Sequence, residues 1–232
     1  MKNFLMMGLL AVALTLSACG RIDLSALLEE DVAEIVEAAV AEVTGGLADH
    51  VAEITAQLEE LSLEDLCDST YSNSSSYTSP GNLRSSTYEM SWSADLICNS
   101  LSVPQSALLT YQAEGTYDTP RISSQDSSSF SGSITGLELT SPSTSWSGTY
   151  TQDAAQDLDF REERSILSKL EIDLNSLLVV KQSQEISSGA GTFSLEIEED
   201  GETKSYAGSI VFLGNQTGTI TINGETYPFQ LD

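Results

Sequence analysis

Hydrophobic positions change their period once, near the first third of the chain. From Leu24 to Leu66 they recur every three or four residues: Leu24, Leu28, Val32, Ile35, Val36, Ala39, Val40 and Val43 form one stripe, and Leu47, Val51, Ile54, Leu58 and Leu61 a second. Gly45-Gly46 separates the stripes. Two glycines inside a helix cost about 2 kcal/mol relative to alanine, so the spacing predicts two helices, 25–44 and 47–61, with a hinge or a tight reversal between. Ser62-Leu63-Glu64-Asp65 has the form of a capping box opening one last short turn toward Cys67. After Asp68 the composition turns to Ser, Thr, Tyr and Gly, and residues 69–82 (STYSNSSSYTSPGN) read as a polar linker.

Beyond the linker the apolar residues alternate. Tyr88/Met90/Trp92, Leu109/Tyr111/Ala113, Leu137/Leu139, Leu158/Phe160 and Leu170/Ile172/Leu174 all alternate with polar neighbours. The C-terminal quarter is the clearest: Phe193, Leu195 and Ile197, a turn at Asp200-Gly201, then Tyr206, Ile210 and Phe212. Gly214-Asn215 turns the chain into Ile220 and Ile222, and Asn223-Gly224 predicts a type I′ hairpin into Tyr227, Phe229 and Leu231. Glycine followed by Ser or Thr recurs at Gly115, Gly132, Gly148, Gly191, Gly208 and Gly218, several of them 16 or 17 residues apart. Glycine in a strand marks a bend or a close approach, and bends at hairpin spacing suit a sheet that closes or half closes. The expected fold class is α+β: N-terminal helices packed on, or tethering, a strongly curved antiparallel β meander or barrel. The expected parts are a leader at 1–18, an acidic helical segment at 19–68, the linker at 69–82 and a β domain at 83–232.

The leader has the order of a secretory signal, with Lys2 as its positive end, an apolar stretch from Phe4 to Leu16 and small residues after it. It is shorter than the roughly 20 apolar residues a spanning helix needs. Leu16-Ser17-Ala18-Cys19 resembles the lipobox of bacterial lipoproteins, a likeness confined to about the first 20 residues. The resemblance implies cleavage before Cys19, lipid on its sulfur, an acylated amine and attachment to a membrane through more than one acyl chain, which makes a stable anchor. Gly20 lacks the acidic character that, in such lipoproteins, goes with inner-membrane retention. The resemblance therefore implies the outer membrane, facing the periplasm or the cell surface.

The chain carries 35 Asp and Glu against 9 Lys and Arg. Loss of Lys2 with the leader leaves 8 basic against 35 acidic side chains, a net of −27. Such a chain repels phosphate backbones, which excludes nucleic acid as a partner, and gains solubility from its charge. With Cys19 taken by lipid, Cys67 and Cys98 remain as an even pair in an oxidising compartment and are expected to form a disulfide. Every ionised side chain from Asp23 to Asp68 is acidic. Like charges along both helices weigh against a self-associating coiled coil and for helices that cover the protein's own sheet. His50, between Asp49 and Val51, is expected on the solvated helical face.

No motif for a catalytic site emerges. A Ser-His-Asp arrangement has only His50 to draw on, and nucleotide-binding and zincin motifs are missing. Acid clusters at Asp153/Asp157/Asp159, Glu162/Glu163 and Glu196/Glu198/Glu199/Asp200 fit the abundance of acids. Asp153, Asp157 and Asp159 are a weak Ca²⁺ candidate without the spacing of an EF-hand loop. Trp92 and Trp146 are expected in the core. The reading is a non-enzymatic envelope lipoprotein with no cofactor and a structural or binding role. Its partners are the membrane through Cys19 and an apolar ligand or a cationic molecule. The alternative is a carrier holding an apolar ligand in a half-barrel, and a third reading is a surface module for glycan or Ca²⁺.

Overall fold

A computed structural model describes residues 27–62, 67, 69–79, 84–160 and 163–232. The leader, the lipobox and Cys19 lie outside the described residues, as do Leu63, Glu64 and Asp65 of the expected capping box and Glu162. Two helices, α1 (Glu29–Val40) and α2 (Leu47–Ser62), precede ten strands. These are β1 (Thr70–Ser79), β2 (Ser85–Cys98), β3 (Pro104–Asp118), β4 (Ile122–Thr135), β5 (Ser143–Asp159), β6 (Glu163–Val180), β7 (Ile186–Glu199), β8 (Glu202–Gly214), β9 (Thr217–Ile222) and β10 (Glu225–Gln230). They form one sheet in chain order, each strand antiparallel to the one before. β1 and β10 are its two edges, and the sheet is not closed.

Alternation produces this sheet. In β6, Ile166, Leu170, Ile172 and Leu174 are buried while Ser165, Leu167, Lys169, Glu171 and Asp173 are exposed; β7 repeats the pattern with Phe193, Leu195 and Ile197. The turns do the rest. Asp200 and Gly201 have φ of 53° and 80°, and Asn223 and Gly224 have 50° and 90°, the left-handed pair that a type I′ hairpin requires. At Gly208 a Cβ would run into the ring of Phe193 on the paired strand, and at Gly218 into the ring of Phe229. These two glycines of the recurring motif let an aromatic ring lie flat across the neighbouring strand.

The helices are built into the same core. Val32, Ile35, Val36, Ala39 and Val40 of α1 and Leu47, Val51, Ile54, Leu58 and Leu61 of α2 are buried in one cluster with the apolar face of the sheet. Each such valine, isoleucine or leucine stabilises by about 1.5–3 kcal/mol over an exposed one. α1 contacts β9 and β10, and α2 contacts β6. α1 ends at Val40, earlier than the apolar stripe suggests, because Ala41 is extended with ψ of 149°. Gly45, with φ of 69°, lies in the turn between the helices, and the Thr44 hydroxyl donates to the Ala38 and Ala41 carbonyls at 2.6 and 3.0 Å. At the other end of α1 the Leu28 N–H donates to the Asp31 carboxylate at 2.8 Å, half of a capping box. Lys181, just past β6, bonds Glu59 of α2 at 2.9 Å and the Leu137 and Glu138 carbonyls at 3.2 and 2.9 Å.

Cys67 and Cys98 are joined by a disulfide, with Cα atoms 5.6 Å apart. It ties the chain just after α2 to the end of β2. On the chain-entropy argument, closing a loop of 31 residues stabilises by about 4 kcal/mol.

Two expectations need correction. The stretch read as a linker forms edge strand β1 over residues 70–79, paired along its whole length with β2. The missing apolar alternation hid it, because its sheet-side positions include Asn73 and Ser75; Pro80, Gly81 and Asn82 fall outside the described residues. Leu137 and Leu139 are not strand residues but lie in the β4–β5 connection, Leu137 buried and Leu139 65% exposed. Two leucines two apart in a turn mimic the period of a strand.

Candidate functional site

The least ordinary part of the interior lies on β2 to β5. β4 sends Ile122, Ser124, Asp126, Ser128 and Phe130 to the buried side, so three polar residues stand where neighbouring strands carry hydrocarbon. β5 adds Gln152 and Gln156, β3 adds Tyr111 and Tyr117, and β2 adds Tyr88, all buried. Asp126 is only 5% exposed. The Tyr88 hydroxyl donates to its carboxylate at 2.7 Å and the Ser124 hydroxyl at 3.3 Å. Gln156 donates to the Tyr117 hydroxyl at 2.9 Å and accepts from Ser168 at 3.1 Å.

Register explains how Tyr88 reaches a carboxylate two strands away. Tyr88 pairs with Gly115, and Gly115 with Asp126. A side chain on Gly115 would meet the Tyr88 ring, so the missing Cβ lets the ring cross β3 and its hydroxyl arrive at Asp126. The helices close this region from the other side. His50 of α2, 1% exposed, sets its ring edge-on to Tyr88 at 5.7 Å and Tyr111 at 5.2 Å. It is therefore a core residue and not a solvated one. Its helical position faces the same way as Leu47, Ile54 and Leu58, a phase that neighbouring acids obscured.

Burial controls the ionisation here. It pushes Asp126 up to about 6, against the opposing hydrogen bonds from Tyr88, Gln152 and Ser124. Burial likewise raises Asp49 to about 6, with the Tyr77 hydroxyl opposing, and lowers His50 to about 4, leaving it neutral. Tyr88, Tyr111, Tyr117 and Tyr150 are all pushed up, burial being the largest cause, and stay protonated. The arrangement has groups able to exchange protons, buried between sheet and helices, with Tyr117, Ser124 and Gln156 at its edge also lining an opening over the strand ends. Chemically it is a hydrogen-bonded polar core that fixes strand register.

Openings lie at the surface. One, of about 350 Å³, sits between α1 and the β3–β4 turn and is lined by Glu34, Glu37, Ala38, Arg84, Arg121 and Ile122 among others. Arg121 bonds Glu34 at 2.7 Å across it and stacks over Phe160 at 4.6 Å. Another, of about 640 Å³, lies over the strand ends from β2 to β7 and is lined by Tyr117, Ser124 and Gln156 of the polar cluster together with Gln125, Asp157 and Glu198.

The other expected site residues are dispersed. Asp153, Asp157 and Asp159 all point outward from β5. At about 3.3 Å per residue, Asp153 and Asp159 are about 20 Å apart along the strand, so the three do not close on one ion. Asp153 lies 3.5 Å from Lys169, and Asp157 accepts from Ser165 at 2.6 Å. Among the described residues no group of three acids, histidines or cysteines could hold a metal, and no helix is long and apolar enough to cross a membrane. Trp92 and Trp146 are 3% and 0% exposed, Trp92 donating to Gln57 of α2 at 2.9 Å. No protein-family model, curated protein or solved structure matches the chain.

The sequence contained a signal for the Asp126 cluster that hydropathy alone passes over. Asp126 has the parity of Ile122 and Phe130, so a strand through all three must bury it.

Proposed function

We propose that this chain is a lipid-anchored envelope protein with a non-catalytic, structural or binding role, attached through Cys19 to the outer membrane, its two helices filling the apolar face of a bent sheet. The observation that carries the reading is the occupied apolar face: the side chains a carrier would offer to a ligand are packed against Val32, Ile35, Val36, Val51, Ile54 and Leu58. Bending is supported by what the two helices and the chain around β2 and β10 touch. Gln57 of α2 bonds Trp92 on β2, while Glu29 of α1 bonds Asn223 beside β9 and β10. Arg84, just before β2, donates to the Asp232 carbonyl, just past β10, at 3.2 Å, although eight strand spacings, about 38 Å in a flat sheet, separate these two strands.

Two measurements test this. Labelling of cells with radioactive palmitate should mark the wild-type chain and not Cys19→Ala, and the variant should leave the membrane fraction; an unlabelled wild type, or a variant that stays with membranes, overturns the anchor. Native mass spectrometry of the chain released from its anchor should show the bare polypeptide mass. A stoichiometric co-purified lipid beyond the anchor overturns the filled-core role in favour of a carrier.

A further inference from the structure

The two edges of the sheet are unlike. β10 is six residues long, begins with Glu225 and contains Pro228, which has no N–H to offer. Short length, charge and proline are the means by which edges avoid pairing with another chain. β1 has none of them. It runs ten residues without a bulge, and from Ser69 to Leu83 the chain has no acidic or basic side chain, in a protein with 35 acids.

The free backbone groups of β1 can be assigned. Leu96 N–H donates to the Ser69 carbonyl at 3.1 Å, so the odd-numbered residues bond β2. Ladder bonds alternate in an antiparallel pair, so the N–H and C=O groups of Thr70, Ser72, Ser74, Ser76 and Thr78 point away from the sheet. Ser74 N–H, in keeping with this, finds only the neighbouring Asn73 side chain, at 2.8 Å. The sequence around Ser74 also reads nearly the same in both directions: Thr70-Tyr71-Ser72-Asn73-Ser74-Ser75-Ser76-Tyr77-Thr78. Antiparallel pairing through outward-facing residues requires opposed residues of the same parity, and a palindrome centred on a residue meets that condition.

We propose that β1 is a self-association edge, on which a second copy of this chain pairs antiparallel about a two-fold axis at Ser74, joining two sheets into one. Thr70 then faces Thr78 of the second copy, Ser72 faces Ser76 and Ser74 faces itself, as an isologous interface demands. Between them Tyr71 faces Tyr77 of the second copy. Tyr71 already packs on Trp92 at 5.4 Å and Tyr77 on Tyr88 at 5.8 Å, so pairing extends both aromatic rows across the joint. Net charge of −26 on each copy opposes the association, and salt screens that repulsion, so the dimer strengthens with ionic strength.

Disulfide trapping reads the register. In a full-length Cys19→Ser background, Ser74→Cys places two thiols on residues about 5.5 Å apart between Cα atoms, within disulfide range. It should yield a linked dimer on mild oxidation. Ser72→Cys should not link to itself, since its copies stand about 13 Å apart, yet it should link when mixed with Ser76→Cys. Sedimentation equilibrium of the Cys19→Ser chain should show a dimer that strengthens from 20 mM to 500 mM salt and weakens about tenfold or more in Ser74→Pro, which loses both central hydrogen bonds. A monomer at all salt concentrations, or self-linking of Ser72→Cys as efficient as that of Ser74→Cys, overturns the proposal. Sedimentation of the chain with unaltered β1 decides the matter if a β1 variant misfolds.

Discussion

The two halves of the sheet bury different chemistry. β6 to β10 put Leu170, Ile172, Leu174, Phe193, Leu195, Ile197, Ile210, Phe212, Ile220, Ile222 and Phe229 inward, with Ser168 of β6 the one buried polar side chain among the described residues of these strands. β2 to β5 bury Tyr88, Tyr111, Tyr117, Tyr150, Asp126, Gln152 and Gln156. The hydrocarbon half needs only size and shape to pack, whereas each group in the polar half needs a partner in the right place, because a buried polar group without one costs about 1–3 kcal/mol. One meander is thus held by transfer of apolar surface along its length, Met90, Trp92, Leu109, Phe130 and Trp146 included, with a hydrogen-bonded network added in β2 to β5, and the two contributions respond differently to mutation and to pH.

The heaviest loss should come from the hydrocarbon half. Phe212, 1% exposed and edge-on to Phe229 at 6.0 Å, leaves a cavity when cut to alanine. Phe212→Ala should lower stability by about 3–5 kcal/mol, about 10 °C in melting temperature for a chain of this size, with no change in the pH dependence of the melting curve. Circular dichroism at pH 5 and pH 8 checks both. Loss of pH dependence along with stability would show that the halves do not act separately.

The polar half should respond to pH. Asp126 has a folded value of about 6 against an ordinary 3.8, so the folded state holds the proton more tightly than the unfolded one. The stability this gives is complete below pH about 4 and is lost as pH rises through 6. Asp49 acts in the same direction, as do Glu34, Glu37 and Glu42, each raised chiefly by burial. His50 opposes them: lowered from 6.5 to about 4, it gives stability present above pH 6.5 and lost as pH falls through 4. Five carboxyls outweigh one imidazole, so the melting temperature should fall from pH 5 to pH 7. Asp126→Asn keeps an acceptor for Tyr88 and removes the buried charge. It should stabilise by about 1–3 kcal/mol at pH 8, since each tenfold tightening of the proton in the folded state is worth about 1.4 kcal/mol, change little at pH 4, and flatten the profile. An unchanged slope would remove Asp126 as its main source.

The same division governs what can be read from the sequence. In the hydrocarbon half, alternation and three turns with left-handed residues specify strands and register, so Phe193 to Leu231 are legible almost residue by residue. In the polar half, period two is carried by residues whose chemistry mimics a loop. Ser124, Asp126 and Ser128 look solvated one at a time and become inward only when Ile122 and Phe130 fix the parity. β1 is illegible for a related reason, since a strand bonded on one side needs little apolar alternation of its own. The helices were visible as stripes, but the burial of His50 required knowing that α2 faces Tyr88 and Tyr111. The cross-strand reach of Tyr88 over Gly115 is a tertiary event with no local trace beyond the glycine itself.

The finest test lies within the polar half. Tyr111 is wholly buried, stacked on Phe130 at 5.8 Å and edge-on to His50, and its hydroxyl has no hydrogen-bond partner among the described residues. Removing a buried hydroxyl that bonds nothing recovers its desolvation cost, while the ring and its packing stay. Tyr111→Phe should therefore be neutral or stabilising by up to about 1 kcal/mol, whereas Tyr88→Phe, which strips Asp126 of its closest donor, should destabilise by about 1–3 kcal/mol at pH 8. The double variant Tyr88→Phe/Asp126→Asn measures how much of that loss belongs to the buried charge on Asp126. A coupling well above the error of about 0.5 kcal/mol is expected. Equal losses from Tyr111→Phe and Tyr88→Phe would mean that ring packing alone holds β2 to β5, and that the polar half differs from the other in composition but not in physics.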